Sequence, residues 1–286
     1  MLIAVIGGAG RMGAWFAKYF LEHGHDIIIS DIKSDKAEVI AKSLGVMLAR
    51  NNVEAARAAD LIFVSTPIDV APKVLEELSH EIREDAIIAE ISSLKSRVLP
   101  VLRDVAKRGI KVLSLHPLFG SGARGMDGER IALIPVYNRE FEGELAKSLF
   151  PEARIIIVDR EMHDRVMALT LALTHFVNIA FASVLGDENI GVLKNLGGTT
   201  FTLQLVISEA VMSEEPSLYA SIQMDNEYTI IYLEKFMEKV TKLKGIIEGG
   251  DKGGFIKFYE ETRNMLSEDE DFALAYERMY RALKAI

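Results

Sequence analysis

At 286 residues, 49% hydrophobic and 26% charged, the chain has the balance of a globular protein with room for two modest domains, which excludes disordered and low-complexity architectures. It holds no cysteine and a formal net charge of −9, so disulfide frameworks and thiolate zinc sites are excluded, and a nucleic-acid partner, which selects basic patches, is not expected. Met1 leads straight into an apolar run, so no cleavable leader is expected, and a reducing, cytoplasmic setting fits the lack of thiols.

Residues 2–6 (Leu-Ile-Ala-Val-Ile) are apolar, rich in β-branched side chains and stop at Gly7, the pattern of a buried strand. Gly8-Ala9-Gly10-Arg11-Met12-Gly13 follows with G-x-G-x-x-G spacing, and Trp15, Phe16, Tyr19 and Phe20 recur at intervals that predict a helix over 14–23. Gly24 stops that helix, 26–30 predicts a second strand, and Asp31 stands at its end. Gly8 allows the tight turn, Gly10 lets the backbone approach a pyrophosphate, and Gly13 lets the helix pack on the strand. The phosphates would sit on the free N–H groups and positive dipole of the helix start. Asp31 would accept from the adenine ribose hydroxyls and repel a 2′-phosphate, favouring NAD over NADP. A lone glycine motif says little; strand, glycines, helix, strand and terminal acid in one unit make 8–13 and Asp31 a candidate dinucleotide site.

The alternation continues. Ser34 is the expected N-cap of a helix over 35–44, and Asn52 that of a short helix before Asp60. Residues 61–64 predict a strand ending in Ser65-Thr66-Pro67, which would turn the chain under the nicotinamide ribose. A helix over 70–78, a strand over 86–91 ending in Ser92-Ser93, a helix over 95–108 despite Pro100, and a strand over 112–115 follow. Strands over 131–136 and 155–158 complete the set. Nearly all-apolar strands between helices describe a doubly wound sheet covered on both faces, here residues 1–159.

In open α/β sheets ligands bind beyond the carboxyl ends of the strands. Ser93 would offer a hydroxyl there, and His116 an imidazole at the mouth of the sheet, with Pro117 fixing the turn after it. Oxidising an alcohol sends a hydride from carbon and a proton from oxygen, and a neutral histidine suits the second task near neutral pH. His116 is therefore the candidate general base. His175, inside an apolar helix, reads by itself as a core histidine.

Residues 160–286 carry no strand signal and predict helices over 167–185, 200–212, 216–244, 254–266 and from 269 to the end. The first is apolar all round, but it contains His175 and Asn178 and lacks a basic flank. It reads as the central helix of a second domain, packed against a partner subunit, and not as a membrane span. Ile230, Leu233, Met237, Val240, Leu243 and Ile247 form one stripe that reads as core.

Residues 7–13, Val64-Ser65-Thr66-Pro67-Ile68, Ser93-Leu94-Lys95, 115–120, Met162-His163-Asp164, Leu173-Thr174-His175-Phe176 and 216–220, in that order and spacing, resemble the prephenate dehydrogenase family over nearly the whole chain. The resemblance implies a Rossmann-type doubly wound sheet followed by an all-α helical domain that forms a homodimer. It implies NAD-dependent oxidative decarboxylation of prephenate to 4-hydroxyphenylpyruvate in tyrosine biosynthesis. His116 would take the ring-hydroxyl proton, Ser93 would assist at the hydroxyl and nicotinamide, and His175 would reach the substrate. The chain departs from the family at Ala210, where relatives carry an arginine for a substrate carboxylate; Lys95, Arg124 and Arg130 are the candidate replacements. The alternatives are arogenate as substrate, or a nucleotide-binding relative without turnover. A β-hydroxyacid dehydrogenase would need an asparagine four residues after Lys194, where Gly198 stands.

Overall fold

The computed structural model describes residues 1–285. They divide into two compact units, Met1–Met167 with Met224–Asn226, and Ala168–Gln223 with Glu227 onward.

The first unit is built on eight strands: β1 (Leu2–Ile6), β2 (Asp26–Ser30), β3 (Met47–Leu48), β4 (Leu61–Val64), β5 (Ile87–Glu90), β6 (Lys111–Pro117), β7 (Arg130–Leu133) and β8 (Arg154–Ile157). Their order is β3-β2-β1-β4-β5-β6-β7-β8, parallel throughout except for the antiparallel β6–β7 pair. The helices of this unit are α1 (Arg11–Glu22), α2 (Ser34–Leu44), α3 (Asn52–Ala58), α4 (Ala71–Ser79), α5 (Val98–Lys107), α6 (Arg139–Leu149) and α7 (Arg160–Met167). The chain reverses direction across the sheet between β1 and β4, which opens a crevice at their carboxyl ends.

Side chains alternate between two cores. Ile3, Val5, Leu61 and Phe63 join Phe16, Phe20 and Phe150 on one face; Ala4, Ile6, Ile62 and Val64 join Leu75, Leu78, Leu99 and Leu102 on the other. Each fully buried large side chain contributes about 1.5–3 kcal/mol, and this double cover explains why the strands read as continuous apolar runs.

Four local expectations are corrected. Ser34 is the first residue of α2, not its cap; the Asp31 carboxylate takes the Lys33 N–H at 2.9 Å and organises that helix start. Asn51, not Asn52, caps α3 by accepting from Glu54 N–H, while the Asn52 side chain accepts from Ser30 Oγ at 2.7 Å. Helix α5 begins at Val98, so Pro100 falls in the first turn, where its missing N–H costs nothing. Strand β6 also runs on through His116 and Pro117, because β7 pairs there, His116 opposite Ala132.

The second unit is helical. A π turn (Ala168–Leu173) continues α7 into α8 (Thr174–Leu185); then come α9 (Ile190–Leu196), α10 (Thr199–Met212), α11 (Pro216–Met224), α12 (Thr229–Glu248), α13 (Lys252–Leu266), a short 3-10 turn (Phe272–Leu274) and α14 (Ala275–Leu283). The single helix expected over 216–244 is two, because Asn226 leaves the helical path and its buried side chain donates to the Asp164 carbonyl at 2.8 Å.

Arg160–Leu185 is long and apolar enough to cross a membrane by length and composition, and 17% of its apolar window is buried inside the structure. Asn178 Oδ1 accepts from Gln204 at 2.8 Å and from Ser208 at 3.0 Å, tying α8 to α10. The stripe on α12 is likewise not core. Ile230 and Ile247 are each 62% exposed.

Candidate active site

The end of β1 forms a cradle that side chains would fill. Gly7 adopts φ +84°, and a Cβ there would stand 2.4 Å from the Ser65 carbonyl oxygen at the end of β4. A Cβ on Gly13 would stand 2.1 Å from the Gly7 oxygen, so helix and turn approach too closely for any other residue. Gly10 caps α1 with no side-chain hydrogen bond, Arg11 and Met12 lie in the first turn, and no acid occupies that turn. This is a helix start fitted to a phosphate. Asp31 Oδ2 accepts from the Ala9 N–H at 2.9 Å, which fixes the acid beside the glycine turn. At the end of β4, Thr66 Oγ1 is buried with no hydrogen-bond partner among the described residues, between half-buried Ser65 and exposed Pro67. A buried hydroxyl without a partner loses free energy unless a ligand supplies one. Cradle, acid and orphaned hydroxyl together fit a dinucleotide.

Two strands farther along lies a buried polar network. His116, near the end of β6, is 6% exposed, and its Nδ1 lies 3.0 Å from Nε2 of His163 on α7. His163 Nδ1 lies 2.8 Å from Asp164 Oδ1, which also accepts the Lys95 backbone N–H at 3.2 Å. Burial holds His116 well below the ordinary imidazole range, with the neighbouring His163 and Lys95 adding to the effect. Burial lowers His163 as well, against the pull of Asp164. Both rings are thereby kept neutral and able to accept a proton.

Lys95, a candidate cation for the substrate, is held inside the fold. Its ammonium is fully buried, 2.8 Å from Glu90 Oε1 and 2.6 Å from the Leu115 carbonyl oxygen. Glu90 also accepts from Ser114 Oγ and from the Ser92 N–H. The ion pair therefore locks the ends of β5 and β6 together immediately before His116. Ser93 lies half-buried between Ser92 and Leu94 in the same segment.

Arg124 and Arg130 are both exposed. Trp15 Nε1 donates to the Ala123 carbonyl at 2.8 Å and its ring meets Phe119 at 5.0 Å, so the loop carrying Arg124 is pinned to α1. Arg130 opens β7, and its carbonyl accepts the Leu118 N–H at 2.8 Å, just beyond His116.

In the helical unit, His175 on α8 packs edge-on against Tyr219 at 4.6 Å, and its Nδ1 is buried with no hydrogen-bond partner among the described residues. Burial lowers its pKa. Gln223 donates to the Ala172 carbonyl of the π turn at 2.8 Å, and its Oε1 is also buried without a partner among the described residues. Reading the sequence singles out His116 but passes over the roles of His163, Asp164, Glu90 and Gln223. The adjacent His163-Asp164 pair was visible as a motif, and nothing in the sequence places it behind His116.

Residues 16–135 match the family model for the nucleotide-binding domain of prephenate dehydrogenase, and 159–261 match that for its dimerization domain. A probable arogenate/prephenate dehydrogenase of Methanocaldococcus jannaschii is 29% identical over 92% of the chain, and the T-protein of Enterobacter agglomerans 25% over 91%. The chain spans 60% and 66% of the lengths of these two relatives. A crystal structure of Aquifex aeolicus prephenate dehydrogenase with hydroxyphenyl propionate and NAD+ shares the fold, with a TM-score of 0.76 at 20% identity, covering 94% of this chain and 98% of that one. The glycine cradle lies in the stretch leading into the first match, the buried histidine pair is shared between the two, and the two matches together take in most of the sequence. The chain belongs to the prephenate dehydrogenase family.

Proposed function

We propose that the chain oxidises and decarboxylates prephenate with NAD+, giving 4-hydroxyphenylpyruvate, carbon dioxide and NADH. The observation that carries this reading is His116: a buried, neutral imidazole near the last residue of a central strand in a nucleotide-binding sheet, backed by a second ring. Bound NAD+ supplies the hydride acceptor. Gly8, Ala9, Gly10, Arg11, Met12 and Gly13 would hold its pyrophosphate, Asp31 would take the adenine ribose hydroxyls and disfavour NADP, and Ser65, Thr66 and Pro67 would serve the nicotinamide ribose.

His116 accepts the ring-hydroxyl proton as the C–H pair leaves carbon. The bond to the ring carboxylate then breaks, its electron pair completes the aromatic ring, and the borrowed proton returns to the phenolic oxygen. Ser93 orients the hydroxyl, and His175 binds the substrate with the Nδ1 that has no partner among the described residues. Arg124 and Arg130 replace the family arginine absent at Ala210.

The test is NADH absorbance with purified chain, NAD+ and prephenate, run in parallel with arogenate and with His116→Asn. We expect turnover with prephenate, and a kcat lower by roughly two to four powers of ten in His116→Asn. Turnover with arogenate alone would replace the substrate and leave the chemistry; no turnover with either removes the reading.

A further inference from the structure

His163 and Asp164 have chemistry of their own to do. An ionised carboxylate only accepts hydrogen bonds, so the 2.8 Å contact makes His163 Nδ1 the donor to Asp164 Oδ1. A neutral imidazole carries one N–H, so His163 Nε2 is then an acceptor. Across 3.0 Å it faces His116 Nδ1, which must donate. That leaves the proton of His116 on Nδ1 and the lone pair on Nε2. The chain of hydrogen bonds runs in one direction, from His116 through His163 to Asp164, and sets the tautomer of the first ring from two residues away.

Resting on the function proposed above, we propose that His163 and Asp164 are positioning residues that hold His116 as its Nδ1–H tautomer and stabilise it while it carries the substrate proton on Nε2. The balance is simple. The hydroxyl proton moves to His116 Nε2, and the ring becomes an imidazolium whose Nδ1–H still points at His163. The positive charge is offset through that ring by the Asp164 carboxylate, and the proton goes back to the phenolic oxygen when aromatisation is complete. No net proton is consumed. The charged and titratable groups facing the pair are Asp164, Lys95 and Glu90; Lys95 and Glu90 satisfy each other at 2.8 Å, which leaves Asp164 as the counter-charge. This arrangement follows the logic of a serine hydrolase triad, in which a buried acid orients the base without itself taking the proton.

The first test needs neither substrate nor variant. Nitrogen-15 shifts of labelled histidine in the intact protein report which ring nitrogen carries hydrogen. We expect His116 as Nδ1–H, the form disfavoured for free imidazole side chains; an Nε2–H signal overturns the proposal. Because this readout uses no prephenate, it stands or falls separately from the substrate assignment. Two variants then test the function. His163→Phe removes the acceptor and keeps the bulk: His116 should revert to Nε2–H, with kcat down roughly 10–100-fold and KM for NAD+ within about twofold. Asp164→Asn can keep both hydrogen bonds through its amide oxygen while losing the charge. Protonated His116 is then less stabilised, so its pKa falls and the acid limb of kcat/KM moves to lower pH, with the plateau rate down about tenfold. A purely structural role would leave the acid limb where it is, and an unmoved limb overturns the proposal.

Discussion

A lysine is useful to a ligand only if its charge is still available. The Lys95 ammonium sits in a fully buried pair with Glu90, and the Leu115 carbonyl takes a second of its protons. Burial pushes its pKa down while Glu90 opposes the shift. Removing one partner of such a pair leaves an uncompensated buried charge, at a cost of about 3–5 kcal/mol. Lys95→Ala should therefore lower the denaturant midpoint, and any activity it loses would report a disordered β5–β6 edge. Arg124 and Arg130 are exposed and should behave in the opposite way. Alanine at either should leave the unfolding free energy within about 0.5 kcal/mol, and at one of them KM for the substrate should rise with little change in kcat. Urea titration and steady-state kinetics on the three variants separate the two classes, and an unchanged KM in both arginine variants would place the carboxylate partner elsewhere.

At the scale of the element, what was legible depended on whether the signal was local. The glycine turn, the alternating strands and the position of His116 rest on residues adjacent in sequence, so spacing alone carries them. The cap of α3 is one residue earlier than the sequence predicts because Asn51 and Asn52 are equally good caps, and only the contact of Asn52 with Ser30, far away in sequence, decides between them. Helix α6 and strand β3 carry no clear sequence signal: the first has one strongly polar face, and the second is two residues long. The break between α11 and α12 and the pair behind His116 depend on the Asn226–Asp164 and His116–His163 contacts, which no periodicity encodes. The β1–α1 turn makes the sharpest prediction at this scale. Gly13→Ala forces a methyl to within 2.1 Å of the Gly7 oxygen, so α1 must move away from the turn. The affinity for NAD+ should fall at least tenfold in a fluorescence titration while the remainder of the sheet stays folded by circular dichroism. Unchanged affinity would show that the cradle does not hold the pyrophosphate.

At the scale of the whole molecule, the two units handle apolar surface in opposite ways. The sheet unit covers both of its faces, whereas the helical unit leaves Val184, Leu196, Met212, Ile230, Met237 and Ile247 each about half exposed or more. Large apolar side chains left in water over several helices mark a surface made for a protein partner, and the family model over 159–261 is that of a dimerization domain. We propose a second copy of the chain as that partner. The net charge of −9 disfavours self-association at long range, so burial must supply the attraction, and raising the salt concentration should tighten the dimer as repulsion is screened. Ile230 and Met237 lie two turns apart on one face of α12, so Ile230→Glu with Met237→Glu would place two charges in the buried surface if α12 contributes to it. Sedimentation should find the wild-type chain at twice its mass at micromolar concentration, and the double variant as monomer with its circular dichroism unchanged. A wild-type chain that sediments as a monomer would remove the second copy as the occupant of this surface, and a double variant that still dimerises would move the interface to α8 and α10.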